Sequence, residues 1–207
     1  MTILLDAQFL LNHIENLLNQ QTDEGVAETL LRLRAQDLED TKFQLPTATQ
    51  KPVVRFLPTT LLGAKNFDAT LADAMLAISS NLCWQQSASY SDEILGIGFS
   101  ENYAWAEFIG ANGFFPGDDF VLGVLLLGPQ QHYLDHYHPA PELYWPLTAP
   151  SQWKKGNGDF MPRQQGEIIW HPSGIVHATK TSTKPLLAIY VWTKDVATPA
   201  RLSILDS

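Results

Sequence analysis

The segment YLDHYHPAPELY, which begins at residue 133, has the residue types and spacing of a metal-binding strand. Four of its polar residues have even numbers and would share one face of an extended chain: His136, His138, Glu142 and Tyr144. A second segment, GEIIWHPSGIVH, adds His177 after a Pro-Ser-Gly turn. Three imidazoles and one carboxylate form a mixed nitrogen and oxygen ligand set for a divalent transition metal. The tyrosine would place a phenol beside that metal, which points to chemistry rather than packing.

The composition describes a folded acidic protein. The chain has 207 residues, of which 45% are hydrophobic and 17% are charged, enough for one large domain or a domain with an extension. A net charge of -9 leaves no basic stripe for phosphates, so nucleic acid is not an expected partner. The single cysteine, Cys83, excludes an internal disulfide and an all-thiolate zinc site.

The apolar segments are too short or too interrupted for a membrane protein. The first eighteen residues lack the basic region and the cleavage site of a secretory signal. The apolar run at 120–129 is too short to span a bilayer. We therefore expect a soluble, cytoplasmic protein without a membrane partner.

The first half of the chain has helical periodicity. Leucines and isoleucines recur at helical spacing between residues 4 and 18, and the same pattern predicts helices over about 24–39 and 68–84. Residues 41–53 contain two prolines among Thr and Gln and read as a linker or an extended loop. We expect residues 1–94 to form a mainly helical N-terminal extension.

The second half has the shorter period of β-strands. Short apolar runs separated by Gly, Pro and Asn-Gly turns predict an antiparallel sandwich or small barrel over 95–207. In the last run, PLLAIYVWT, one face would carry Leu186, Ala188, Tyr190 and Trp192. Because the opposite face is apolar as well, this strand is expected to be buried on both sides.

The order of the two motifs resembles that of the cupins. His136-x-His138-x3-Glu142 is followed by Pro172-x-Gly174-x2-His177, as in the two cupin motifs. With Tyr133 before the first motif, Tyr144 after it and Trp192 fifteen residues beyond the second, the chain is similar to the bacterial cupin-type dimethylsulfoniopropionate lyases. The resemblance implies an α+β fold in which an N-terminal helical segment packs on a double-stranded β-helix (cupin) barrel.

The resemblance also implies a metal site and a base. His136, His138, Glu142 and His177 would hold one divalent transition metal, which the sequence leaves open among Zn, Fe, Mn, Co and Ni. Whether His136 binds that metal directly is also left open. Tyr144 would remove the proton next to the substrate carboxylate, so that dimethylsulfoniopropionate breaks into dimethyl sulfide and acrylate by β-elimination.

The substrate of such a lyase is a small zwitterion, and aromatic residues would bind its cation. Tyr133 and Trp192 follow the family pattern, while Tyr190 follows from its position on the last strand. Aromatic faces attract cations by ~1–2 kcal/mol per contact when water is excluded.

Two other functions fit the same motifs. One is a cupin isomerase or dioxygenase that acts on another small carboxylate or a sugar, and the other is a non-catalytic cupin that binds a small molecule. A homodimer is the expected assembly. The histidine just before the turn, His171, is expected to make a structural hydrogen bond rather than to take part in chemistry.

Overall fold

The N-terminal part of the chain is helical. The computed structural model describes residues 3–205. Its helices are α1 (Ile3–Leu18), α2 (Val26–Arg34), α3 (Leu57–Ala64), α4 (Ala69–Ile78) and α5 (Asp92–Leu95). The apolar spacing of the sequence predicted α1, α2 and α4, although α2 and α4 are shorter than expected. Among these helices, none combines the length and the apolar character that crossing a bilayer requires.

The helices α3 and α5 were not predicted. The helix α3 begins with a proline in its first turn, where the missing N–H costs no hydrogen bond. The predicted linker at 41–53 contains parts of two short 3-10 turns, Asp40–Lys42 and Pro52–Phe56. Pro52 and Pro58 therefore lie in the first turns of helical elements, whereas residues 43–51 lie outside the helices and named strands, as the predicted linker or loop requires.

The rest of the fold consists of two five-stranded antiparallel sheets. In chain order the strands are β1 (Tyr103–Ile109), β2 (Val121–Leu127), β3 (His132–Tyr137), β4 (Glu142–Pro146), β5 (Ser151–Lys155), β6 (Met161–Arg163), β7 (Ile169–His171), β8 (His177–Thr181), β9 (Leu186–Trp192) and β10 (Arg201–Leu202). The first sheet has the order β1-β2-β9-β4-β7 and the second the order β10-β3-β8-β5-β6. The helices and paired sheets give the predicted α+β cupin barrel.

The first sheet is buried on both faces, because it separates two apolar clusters. The helices pack on its outer face. There they share one apolar cluster with Leu187, Ile189 and Val191 of β9. The alternate residues of β9, which include Ala188 and Tyr190, belong to the cluster inside the barrel. The predicted alternation of β9 is confirmed, and helices and sheet share one core. The division of the chain near residue 94 into two domains stays a prediction.

A glycine lets the loop before α2 approach the barrel. Gly25 has a φ of 84° and lies against the ring of Trp170, so that a Cβ there would overlap the indole. We expect Gly25→Ala to lower the free energy of unfolding by about 1–3 kcal/mol, measured by urea denaturation, because the core must shift to fit the methyl group.

The matched control for this change is Gly174→Ala. Gly174 also has a positive φ of 70°, but a Cβ there would meet nothing within 4 Å. This variant therefore carries only the backbone strain, about 1 kcal/mol. Equal destabilisation of the two variants would show that contact with Trp170 plays no part.

Candidate metal centre

The strands bring three of the predicted ligands together from both sheets. His138 follows the end of β3, and His177 is the first residue of β8, which pairs with β3 in the second sheet. Glu142 is the first residue of β4 in the first sheet. All three side chains are buried at the point where the two sheets face each other.

The donor atoms of these three residues converge. One ligand atom from each of His138, Glu142 and His177 lies within 4.8 Å of the other two. Nε2 of His138 is 3.0 Å from Oε2 of Glu142, and Nε2 of His177 is 3.1 Å from the same oxygen. This separation is the size of a site in which one cation contacts all three groups.

The hydrogen bonds of the two imidazoles favour a metal ligand role. Nδ1 of His138 faces the carbonyl oxygen of Ala140 at 2.8 Å, and Nδ1 of His177 faces that of Ile175 at 2.9 Å. If Nδ1 of each ring donates to its carbonyl, Nε2 carries the free lone pair. Nε2 of His177 is buried and lacks a hydrogen bond of acceptable angle, although Glu142 is near. A divalent cation would satisfy this nitrogen, so the residues present fit a metal.

The carboxylate of this group is charged despite its burial. Burial alone raises the pKa of the Glu142 carboxyl, but the adjacent imidazoles of His138 and His177 outweigh it and lower the pKa well below its usual range. The site therefore offers an anionic oxygen beside two imidazole nitrogens, which suits several divalent transition metals.

The fourth predicted ligand, His136, lies beside the cluster. It pairs with His177 across β3 and β8, and the centroids of the two rings are 4.1 Å apart. Its ring stacks on Tyr133 at 3.9 Å, and its Nδ1 faces the carbonyl oxygen of Leu134. The three converging donors do not include His136. Its role as a direct ligand stays a prediction.

Trp192 contacts the metal site through its indole N–H. Nε1 donates to Oε1 of Glu142 at 2.8 Å, and the ring lies 4.2 Å from that of His138. The predicted contact of Trp192 with the substrate cation stays a prediction, and the structure gives its indole a hydrogen bond to Glu142. The indole holds the carboxylate whose other oxygen faces the two imidazoles.

We expect Trp192→Phe to weaken metal binding by about 10–100-fold, the usual loss when a group that is hydrogen-bonded to a ligand is removed. The phenyl ring keeps contact with His138 but cannot donate to Glu142. Titration with a competing chromophoric chelator measures the affinity. Trp105→Phe is the control, because Trp105 lines the same cavity and has no hydrogen bond to Glu142. Unchanged metal affinity in Trp192→Phe would remove the indole from the metal site.

The candidate base lies at the border between the metal site and a cavity. Tyr144 is two residues beyond Glu142 on β4 and is 5% exposed, and its ring packs 4.7 Å from that of Trp153. Burial, and then the negative charge of Glu142, raises the pKa of Tyr144 well above 10. A cation bound to Glu142 would neutralise this charge and thereby lower the pKa of Tyr144.

The cavity of about 210 Å³ contains the predicted aromatic residues. Tyr133, Tyr190 and Trp192 all line it, together with Glu142 and Tyr144. The hydroxyl of Tyr133 lies 3.0 Å from that of Tyr90, which fixes the ring at the edge of the cavity. One candidate ligand, the candidate base and the aromatic residues therefore line the same cavity.

Sequence reasoning missed one wall of this cavity. Three residues of β1 with odd numbers also line it: Tyr103, Trp105 and Glu107. Their alternation was visible in ENYAWAEFIG, and a carboxylate in an apolar strand was the signal that could have found them. The pairing of β1 with β2, which sets this strand next to the site, is not visible locally.

The expectation for His171 was wrong. Instead of making a structural hydrogen bond, both its ring nitrogens are buried and have no hydrogen-bond partner among residues 3–205. Its ring stacks on that of His177, with centroids 4.3 Å apart and planes 14° from parallel. Burial, and then the adjacent His177, lowers the pKa of His171 to about 2. The residue is therefore a neutral packing surface behind a candidate ligand.

Curated relatives of this chain are dimethylsulfoniopropionate lyases. The lyase DddQ of Ruegeria pomeroyi is 29% identical over 130 residues, which cover 63% of this chain and 64% of the relative. The putative lyase DddL of Cereibacter sphaeroides is 26% identical over 145 residues, which cover 69% of this chain and 60% of the relative. The matched region therefore spans less than two thirds of either relative.

The same fold is present in a solved structure. The crystal structure of the lyase DddQ from Ruegeria pomeroyi superposes with a TM-score of 0.77 over 98% of each chain, at 22% sequence identity. The family model described as dimethylsulfoniopropionate lyase matches residues 22–188. That match runs from just before α2 into β9, and by this measure the protein belongs to the dimethylsulfoniopropionate lyase family.

Proposed function

We propose that this protein cleaves dimethylsulfoniopropionate into dimethyl sulfide and acrylate by a metal-dependent β-elimination in which Tyr144 is the base. The observation that carries the proposal is the convergence of His138, Glu142 and His177 at the edge of a cavity that Tyr144 also lines. Membership of the family supports the choice of substrate.

The carboxylate of the substrate would bind at the metal end of the cavity. His138, Glu142 and His177 would hold the cation, with His136 as the further predicted ligand. When bound, a divalent transition metal supplies a Lewis acid that attracts the substrate carboxylate and stabilises negative charge that develops next to it. The protein contributes buried side chains, around which this electrostatic stabilisation is stronger than in solution.

Tyr144 would remove the proton from the carbon next to the carboxylate. Its phenolate oxygen takes the proton, and the electron pair of the C–H bond becomes the second bond of the acrylate double bond. The C–S bond breaks, and its electron pair leaves with sulfur as neutral dimethyl sulfide. Tyr144 then loses the proton to solvent, so that the phenolate is restored for the next turnover.

The aromatic residues would hold the sulfonium end of the substrate. Tyr133, Tyr190 and Trp192 present rings to the cavity, and each good contact with a desolvated cation contributes ~1–2 kcal/mol. Binding at both ends orients the zwitterion, which keeps the carbon to be deprotonated near Tyr144.

Headspace gas chromatography tests this function. Purified protein loaded in turn with Zn, Fe, Mn, Co or Ni is incubated with dimethylsulfoniopropionate, and acrylate is measured in the same vial. We expect equal amounts of dimethyl sulfide and acrylate with at least one metal. If the metal content is verified for all five ions and the protein releases neither product with any of them, the proposal is refuted.

A further inference from the structure

A buried carboxylate lines the cavity from the edge strand of the first sheet, three strands away from the one that carries Glu142. Glu107 of β1 is 6% exposed and lines the cavity. Its neighbours across the sheet are Gly123 of β2, then Tyr190 of β9 and Tyr144 of β4, so this row runs from Glu107 to the candidate base. Directly opposed residues share one face of a sheet, and that face is the interior of the barrel.

The two acidic groups of the cavity are well separated. Three strand steps lie between β1, which carries Glu107, and β4, which carries Glu142. At a spacing of ~4.8 Å per step, the two backbones are about 14 Å apart. Their side chains therefore mark two ends of the cavity rather than one acidic cluster.

The backbone holds the carboxyl group of Glu107 in place. The N–H of Asn112 donates to Oε2 at 2.6 Å. Gly110 has a φ of 148°, and a Cβ there would lie 2.7 Å from the same oxygen, so the loop after β1 fits closely around the carboxyl group. Gly123, which pairs with Glu107, leaves space for the ring of Tyr190, because a Cβ there would lie 2.8 Å from Cε1 of that ring.

This carboxylate has no counter-charge within the described part of the chain. None of the ion pairs formed by residues 3–205 includes Glu107. Burial raises the pKa of its carboxyl, and the hydrogen bond from Asn112 opposes that change. A buried carboxylate without a counter-charge is unfavourable, and a cation placed in the cavity would reduce this cost.

We propose that Glu107 recognises the cationic group of the substrate and thereby makes the cavity selective for zwitterions over carboxylates with an uncharged tail. The inference deepens the proposed function and rests on it for the placement of the substrate carboxylate at the metal. The ligand class is a short carboxylate with a sulfonium or quaternary ammonium group at its other end. When ionised, Glu107 places a negative charge in the cavity that the aromatic rings also line, so it adds to the cation–π contacts a preference that depends on charge.

Two ligands of equal shape test this selectivity. The first, 3-(trimethylammonio)propionate, carries the cation, and the second, 4,4-dimethylpentanoate, replaces the nitrogen by carbon. Their affinities for zinc-loaded protein are measured by isothermal titration calorimetry. We expect the wild type to prefer the cation, and Glu107→Gln to reduce that preference by roughly tenfold or more, since buried charge pairs lose at least this much when one charge is removed.

The control variant is Glu101→Gln. Glu101 is exposed, so this change alters the net charge by the same amount outside the cavity and should leave the preference intact. Melting temperature and bound zinc are measured for each variant. A correctly folded Glu107→Gln protein with unchanged preference would overturn the inference.

Two further outcomes separate this inference from the proposed reaction. If the wild type binds both ligands equally, Glu107 does not select for charge, whether or not the variant folds. If the wild type prefers the cation and Glu107→Gln loses that preference while no dimethyl sulfide is released, the selectivity stands and the lyase reaction is refuted.

Discussion

Replacing Tyr144 with phenylalanine is expected to lower the rate of dimethyl sulfide release by on the order of 10²–10⁴-fold, the usual contribution of a positioned base. The ring keeps its packing against Trp153, and the nearby donors of His138, Glu142 and His177 are untouched. Bound metal, measured by elemental analysis, should therefore stay at the wild-type level. Headspace gas chromatography under substrate saturation gives the rate.

A second tyrosine of the same cavity provides the control. Tyr103 also lines the cavity, but it belongs to β1 and its hydroxyl lies 3.4 Å from that of Ser87. Tyr103→Phe removes a phenol from the same space and should change the rate far less. Wild-type sulfide release by Tyr144→Phe would exclude Tyr144 as the base. A non-catalytic binding cupin would instead release no sulfide in any form, while ligand-induced thermal stabilisation would survive in Tyr144→Phe.

Removal of a ligand should abolish metal binding. Glu142 supplies the anionic oxygen that both imidazoles face, and His177 supplies a buried nitrogen without a suitable hydrogen-bond partner. In Glu142→Ala and in His177→Ala we expect a loss of metal affinity larger than the ~10–100-fold that removal of a supporting hydrogen bond causes. Lyase activity should fall to background in both variants.

The measurements are metal content after dialysis and circular dichroism, which reports whether the barrel remains folded. His132→Ala is the control, because His132 is half-buried beside Phe160 and lies outside the converging donors. A full complement of metal in folded Glu142→Ala or His177→Ala protein would refute the ligand assignment. The same experiment on His136→Ala decides whether that residue is a fourth ligand.

The part of the site that could be predicted follows from local spacing. The period of two on a strand placed Glu142 and Tyr144 on one face, and both line the cavity. The alternation of β9 likewise predicted that Tyr190 and Trp192 face inward. These features depend on residues close together in the sequence, so no knowledge of strand order was needed.

The part that could not be predicted depends on which strands become neighbours. Tyr103 and Glu107 enter the cavity because β1 pairs with β2 and β2 with β9, contacts between segments that are far apart in the chain. The stacking of His171 on His177 joins β7 of one sheet to β8 of the other, and local spacing does not show which sheet a strand enters. A histidine beside a turn usually satisfies its nitrogens, and tertiary packing overrode that rule here.

The three converging donors come from both sheets of the barrel. Glu142 belongs to one sheet, while His138 and His177 extend from strands of the other, so one ion would fasten the two layers of the barrel to each other. Occupancy would stabilise the folded chain by RT ln(1 + [M]/Kd), about 2.7 kcal/mol at a hundredfold excess over the dissociation constant. In a cell, metal supply would then set how long this protein persists as well as how fast it works.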